Sequence, residues 1–344
     1  MNSALIRKTI AIVFLTTVLS ACHYDDDSMP LPGGGGNGDG GFGVTEITAD
    51  NAERVARSIL SVLTGQEPVP PYCDIRDCAA EPVAVAVSVP VSVRPAAVTV
   101  DEQDCSEGGS SITTTEDSGS DQTEVGDSTT TEYFECGIGS GNFLDGTISF
   151  EVTAVSGDFA TPPYSVTNKA TYTEYAFTLP QLTWLDGPFT QIINGEIVQT
   201  SGADTANDNR SEGVLNAVFE YGDGRMIQFF DLMNTTDSVY GDTTFEETFT
   251  FSGALTHSDA GVDGELTVTT PEPLVRTSID IEAANVGYES GRVRIADAAG
   301  HYVDIVLLDL VNLQLEADID GNPGVDVVQA ATWEDLFYGN LRAN

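Results

Sequence analysis

Along most of this chain apolar and polar residues alternate with a period of two, in blocks separated by turn-forming residues. That period puts every second side chain on one face of an extended strand. The strongest blocks are "GTISFEVTAV", "SVTNKATYTEYAFTL", "QIINGEIVQTS", "GVLNAVFEYGDGRMIQFFDLMN", "TTFEETFTFSGALTHS", "GELTVTTP", "GRVRIADAAGHYVDIVLLD" and "NLQLEADIDGNPGVDVVQA". Asp-Gly or Asn-Gly pairs recur at 145–146, 194–195, 223–224, 263–264 and 320–321, and each reads as a hairpin turn. Short connections favour antiparallel neighbours. The expected fold is therefore mainly β: a large antiparallel meander sheet, curved or half-barrel-like. "LDGTISFEVT", "INGEIVQT" and "VDGELTVTT" share an apolar-[Asp/Asn]-Gly-x-[Ile/Leu] pattern, which points to a repeated hairpin unit of irregular period.

Two segments before residue 128 carry other signals. "ITADNAERVARSILSVLTGQ" has helical spacing: Ala52, Val55, Ala56, Ile59, Val62 and Leu63 fall on one face, predicting an amphipathic helix over 48–64 packed on the sheet. Thr48 or Asp50 is placed to cap it, Asp50 with Glu53 resembles a capping box, and Gly65 ends it. "VAVAVSVPVSV" (83–93) places valine at every second position and predicts a strand with one buried face, with Pro90 marking an edge or a bulge. "ATWEDLFYG" closes the chain with a short helical turn.

The amino-terminal residues alternate in neither way. Arg7 and Lys8 precede the apolar run "TIAIVFLTTVL", which leads to Leu19-Ser20-Ala21-Cys22. A cationic start, a short apolar run and small residues before a cysteine match the bacterial lipobox, so residues 1–21 are expected to be a lipoprotein signal peptide and Cys22 the lipidated residue. Acyl chains at about 0.8 kcal/mol per buried methylene would make that attachment effectively permanent. Residues 22–44, with "DDD" and "GGGGNGDGG", cannot bury enough apolar surface to offset their ordering entropy. They read as a disordered tether reaching roughly 25 Å. Residues 45–344 form the β-rich domain, and His23 after the cysteine favours the outer membrane as the destination.

Charge narrows the partners. The chain holds 13 basic and 54 acidic residues, and removing residues 1–21 takes away two bases and no acid, leaving −43. Nucleic acid and anionic lipid surfaces are excluded as electrostatic partners, while calcium becomes a natural counterion. Four cysteines follow Cys22: Cys73, Cys78, Cys105 and Cys136. An even number in an exported chain reads as disulfides with three pairings open, of which the sequence-local one, Cys73–Cys78 and Cys105–Cys136, is simplest. Pairing 110–115 with 126–131 as a hairpin also sets 105 opposite 136. No CxxC supports zinc.

"Cys105-x-x-Gly108-Gly109-Ser110 … Gly126-Asp127 … Tyr133-x-x-Cys136 … Asp145-Gly146-Thr147", with "SGRVRIADAAGHYVDIVLL … EADIDGNPGVD … TW", resembles uncharacterised lipoproteins of Gram-negative bacteria. The resemblance spans roughly 45–335, rests on turn and disulfide residues, and implies fold and location without an activity. Acidic loops in that family are richer in Asp-x-Asp-Gly-Asp-Gly than those here.

Candidate chemistry is sparse. Asp318, Asp320, Asn322 and Asp326 in "DIDGNPGVD" present oxygens at alternating positions, the donor type calcium takes, although Gln329 and Pro323 depart from the helix-loop-helix calcium motif. The competing reading is a polar hairpin turn. No nucleophile elbow, zinc-protease motif, P-loop or dinucleotide fingerprint occurs, His257 and His301 lie in or beside strands, and no enzyme is expected. Trp184 and Trp333 read as core anchors before sugar platforms. The expected function is a non-catalytic envelope lipoprotein, bound to the lipid bilayer through Cys22 and serving as a binding or structural module for another envelope protein. A carrier of an apolar ligand lined by "YAFTLPQLTW" and "MIQFFDLM" is the alternative, and a glycan or lipid hydrolase the weaker one.

Overall fold

A computed structural model describes residues 46–63, 97–118, 123–139, 141–158, 161–179, 189–222, 224–241, 245–258, 260–278, 288–322, 324–333 and 336. Cys22, the tether, Cys73, Cys78, the 83–93 segment and Trp184 lie outside these residues. Among the described residues one helix of more than a turn, α1 (Ala52–Leu63), precedes fourteen strands. They are β1 (Ala97–Asp104), β2 (Ser110–Asp117), β3 (Ser128–Gly139), β4 (Asn142–Asp158), β5 (Thr161–Leu179), β6 (Phe189–Ala203) and β7 (Asp208–Tyr221). β8 (Met226–Tyr240), β9 (Phe245–His257), β10 (Leu266–Ser278), β11 (Ser290–Ala296), β12 (Tyr302–Leu307), β13 (Asn312–Asp318) and β14 (Val327–Thr332) complete the set. All fourteen form one sheet in chain order, every neighbour pair described is antiparallel, and β1 and β14 stand at its two ends without closing a barrel. β1 was not foreseen, because "AVTVDEQD" alternates for only half its length before turning acidic.

The main core lies under α1. The helix rests on β11, β12 and β13, and its buried side chains Val55, Ala56, Ile59 and Leu60 meet Val293, Ile295, Val303, Ile305, Leu313 and Leu315 in one cluster. Each large side chain taken from water there contributes roughly 1.5–3 kcal/mol. Clean alternation in "SGRVRIA" and "NLQLEAD" makes this possible, since the apolar set of each strand faces the helix. Leu60 belongs to that buried face although the helical spacing had pointed to Val62, which is only partly buried. Thr48 opens the turn into the helix, its carbonyl accepting the Asn51 and Ala52 N–H groups, and Asn51 holds it there: the Asn51 side-chain carbonyl accepts the Thr48 N–H at 2.7 Å, and its amide donates to Glu46 and Gly261 carbonyls. Glu53 does not reach back as a capping box. It pairs with Arg57 at 2.6 Å and accepts from Gln329 at 3.2 Å.

On the outer face of the same strands, Asp304 has 1% of its side chain exposed between Arg292 and Arg294, at 2.7–2.8 Å. Arg292 also reaches Glu316, and Arg294 stacks on the Tyr302 ring at 3.8 Å. Burial works against the Arg292 charge, but Glu316 and Asp304 outweigh it and hold the guanidinium firmly protonated.

Away from α1, toward β1, burial thins to a small cluster of Ile148, Ala170 and Tyr172 flanked by Tyr133, Tyr175, Ile193 and Ile197. Bulges interrupt the register along the sheet. Glu135, Glu174 and Asp231 all adopt left-handed backbone (φ 47°, 48° and 47°) at breaks in register. Each bulged N–H is taken by a side chain one strand away: Glu135 by Asp145, Glu174 by Asn194, Asp231 by Asn216. The Asp-Gly at 145–146 and Asn-Gly at 194–195 are therefore mid-strand bulge partners, not hairpin turns. The Asp or Asn caps the bulge on one side, and the glycine admits the strand on the other. A Cβ at Gly146 would lie 2.1 Å from the Glu174 carbonyl oxygen, and one at Gly195 would lie 2.3 Å from that of Asn216. Tyr133 and Tyr172 sit directly opposite these two glycines in the register.

Cys105 and Cys136 are bridged. The expected register is corrected: Ser110 pairs with Phe134 and Thr115 with Thr129, three residues beyond the 110–115 to 126–131 pairing. Cys105 lies in the β1–β2 turn, which folds back so that Glu107 and Gly108 bond Gly137, and the bulge after Tyr133 brings Cys136 to meet it.

Candidate functional site

A group of titratable side chains lies where the β11–β12 turn, the β13–β14 turn and the segment leading into α1 converge. Asp297 opens the first turn. Its side chain accepts N–H bonds from Ala299 (2.9 Å) and His301 (3.0 Å), which shapes the turn as Asp-Ala-Ala-Gly-His requires. Its second oxygen takes the His301 Nδ1 at 2.9 Å and the N–H of Ile47 at 2.7 Å, 250 residues away in the chain. Ile47 is wholly buried, so Asp297 supplies the acceptor that this donor cannot find in water. Burial raises the Asp297 carboxyl, but the Ile47 N–H and the His301 ring outweigh it and hold it below the usual carboxylate value. The Asp297 hydrogen bond, with the fields of Asp297, Glu46 and Asp318, raises His301 above the ordinary imidazole value.

The second turn carries the acids singled out by spacing. Asp318, Asp320 and Asp326 each turn a carboxylate oxygen toward a common point, all within 4.8 Å of one another. Asp318 is buried at the end of β13, while Asp320 and Asp326 are exposed. The same groups hold the turn: Asp318 accepts from Gly321, Asp326 from Ile319, and Asp320 from both the backbone and the side-chain amide of Asn322. Those Asn322 bonds lower the Asp320 pKa. The geometry thus serves a self-bonded polar turn and, at the same time, presents three oxygens to a cation of calcium's preference.

His257 is buried at the end of β9, and Trp333 is buried in the main core, where it serves as the packing anchor that its sequence context suggested. Ile227, Phe229 and Leu232, named as lining for an apolar cavity, fill that same core. Burial pushes the Tyr172 hydroxyl up to about 12, in keeping with a packing role. Sequence reasoning placed His301 beside a strand and missed Asp297. The Asx-type turn in "ADAAGH" was readable as a turn, but nothing local marks Ile47 as its partner. No family model, curated protein or solved structure matches this chain.

Proposed function

We propose that this protein is a non-catalytic, lipid-anchored protein of the outer membrane, joined to the bilayer through Cys22 and serving as a binding or structural module. The reading rests on Leu19-Ser20-Ala21-Cys22 together with the way the chain enters the domain: the segment after the tether is fastened through Ile47 to Asp297, beside the helix-covered core. A tether pulled by its anchor would load that clamp rather than a fraying end. Replacing Cys22 with serine is expected to move the protein from the membrane fraction to the soluble fraction and to abolish acyl labelling. A serine variant still held in membranes would sink the anchor. Turnover of a generic ester or glycan by the purified protein would sink the non-catalytic part.

The convergence of Asp318, Asp320 and Asp326 favours calcium as a ligand of the β13–β14 turn. His301 faces the same acids, so an ion and the imidazolium compete for their field. Calcium is expected to raise the melting temperature and to lower the His301 pKa followed by NMR, with both effects removed in Asp320→Asn. A His301 titration unmoved by saturating calcium would count against the site.

A further inference from the structure

The end of the sheet opposite α1 presents β1. Among the described residues it is the terminal strand, paired on one side only, with a register to β2 that runs unbroken from Ala97–Asp117 to Asp104–Ser110. Alternate residues of such a strand turn their main-chain N–H and C=O groups away from the sheet. Natural edges are usually blunted by a bulge, a proline, a lysine or a very short strand. β1 has no bulge, proline or lysine, and its acids are the one blunting device it carries: it is regular and exposed from 98 to 104, with Val98 and Val100 each 65% exposed.

What it carries instead is one sign of charge. Between residues 97 and 168 the chain has fourteen acidic residues and no lysine, arginine or histidine. Asp101, Glu102 and Asp104 stand on the edge strand itself. Two copies of β1 laid antiparallel would set these acids against each other, which disfavours a dimer through this edge. The same acids become attractive toward a strand bearing lysine or arginine. Val98 and Val100 lie on one face with Glu102 and Asp104, because residues two apart share a face. A complementary strand would therefore carry apolar side chains opposite the valines and basic ones opposite the acids.

We propose that β1 is a docking edge for an extended, cationic segment of a partner protein, which adds to the sheet as a fifteenth strand. Main-chain hydrogen bonds supply the attachment, the acids select a basic sequence and reject a second copy, and the two valines set the register. This names a partner class for the binding role proposed above, and it is testable in the detergent-solubilised protein independently of where the anchor places it.

The test is amide exchange of the full mature protein with two short peptides, one placing two lysines and then two valines at every second position with threonine between, the other with glutamates in place of the lysines. The lysine peptide is expected to slow exchange at alternate β1 amides by about tenfold or more, and added salt should weaken it. The glutamate peptide should do nothing. Asp101→Lys combined with Glu102→Lys should invert that preference while β12 amides remain as slow as in the parent. The wild-type comparison of the two peptides decides the matter even if the double variant fails to fold. Equal protection by both peptides, or by neither, overturns the proposal. So do β1 amides already slow in the peptide-free monomer, which would place the chain's own residues on the edge. Protection that rises with dimer content, measured by light scattering, would assign the edge to a second copy.

Discussion

Removing the Asp297 carboxylate isolates what the clamp at the start of the domain is worth. In Asp297→Ala the Ile47 N–H loses its acceptor at 2.7 Å while remaining wholly buried, which costs about 1–3 kcal/mol for an orphaned donor. The Ala299 and His301 N–H groups of the turn also lose their acceptor, but they lie where water can replace it, adding about 0.5–1.5 kcal/mol. A loss of about 2–4 kcal/mol is expected in urea unfolding at neutral pH, or about 3–6 °C in melting temperature for a domain of this size. Asp297→Asn keeps one carbonyl oxygen but turns an amide toward a donor, and should fall between the two. The effect should also be local: amide exchange across 46–63 should accelerate more than across β4 and β5. The pH dependence has a defined sign. The carboxyl is lowered from 3.8, so its contribution is present above that value and disappears as pH falls through the lowered one. His301 is raised from 6.5, so its contribution is complete below that value and is lost as pH rises through the raised one. Stability from the pair therefore peaks between the two, and His301→Gln should erase the alkaline slope alone. An alanine variant within about 0.5 kcal/mol of the parent would refute the clamp.

Gly195→Ala forces a Cβ to 2.3 Å from the Asn216 carbonyl oxygen at φ +131° and is expected to cost more than about 2 kcal/mol in chemical denaturation, whereas Gly264→Ala, with nothing within 4 Å, should cost only backbone strain of about 1 kcal/mol. Similar losses at both sites would undo the bulge-partner account. Opening the Cys105–Cys136 bridge with paired serines releases a loop of sequence separation 31 and should cost roughly 3–4 kcal/mol, with β1–β3 exchanging first. Asp304→Ala leaves Arg292 and Arg294 without their shared carboxylate and is expected to lose about 2–4 kcal/mol in urea unfolding, while the triple change of Arg292, Arg294 and Asp304 to apolar residues should recover most of it.

Particular elements show how far the pattern of residues carries. "GRVRIA" and "NLQLEA" could be read strand by strand, face by face, because alternation is a local property and the helix-covered core needs nothing else. The acidic turn was legible for the same reason: Asp318, Asp320 and Asp326 are near in sequence, and a tight turn brings near neighbours together. The Asp-Gly at 145–146 was misread because a turn and a bulge partner ask for the same two residues. Only the neighbouring strand says which is present. The β2–β3 register slipped by three because the bulge at the end of β3 and the folded-back β1–β2 turn consume residues that a plain hairpin would not.

A fold in which each strand pairs with the next is the one most fully written in a sequence. Period-two alternation, short connections and one helical stripe were enough to determine a mainly β meander with a helix on one face, since every pairing closes only a short loop. The Asp297 clamp on Ile47, the shelter of Asp304 between two arginines, the pairing of tyrosines opposite bulge glycines and the place of β1 at the end of the described sheet were decided by tertiary structure alone. Each depends on which strands lie side by side and in what register, and a single inserted bulge residue moves every later side chain to the other face.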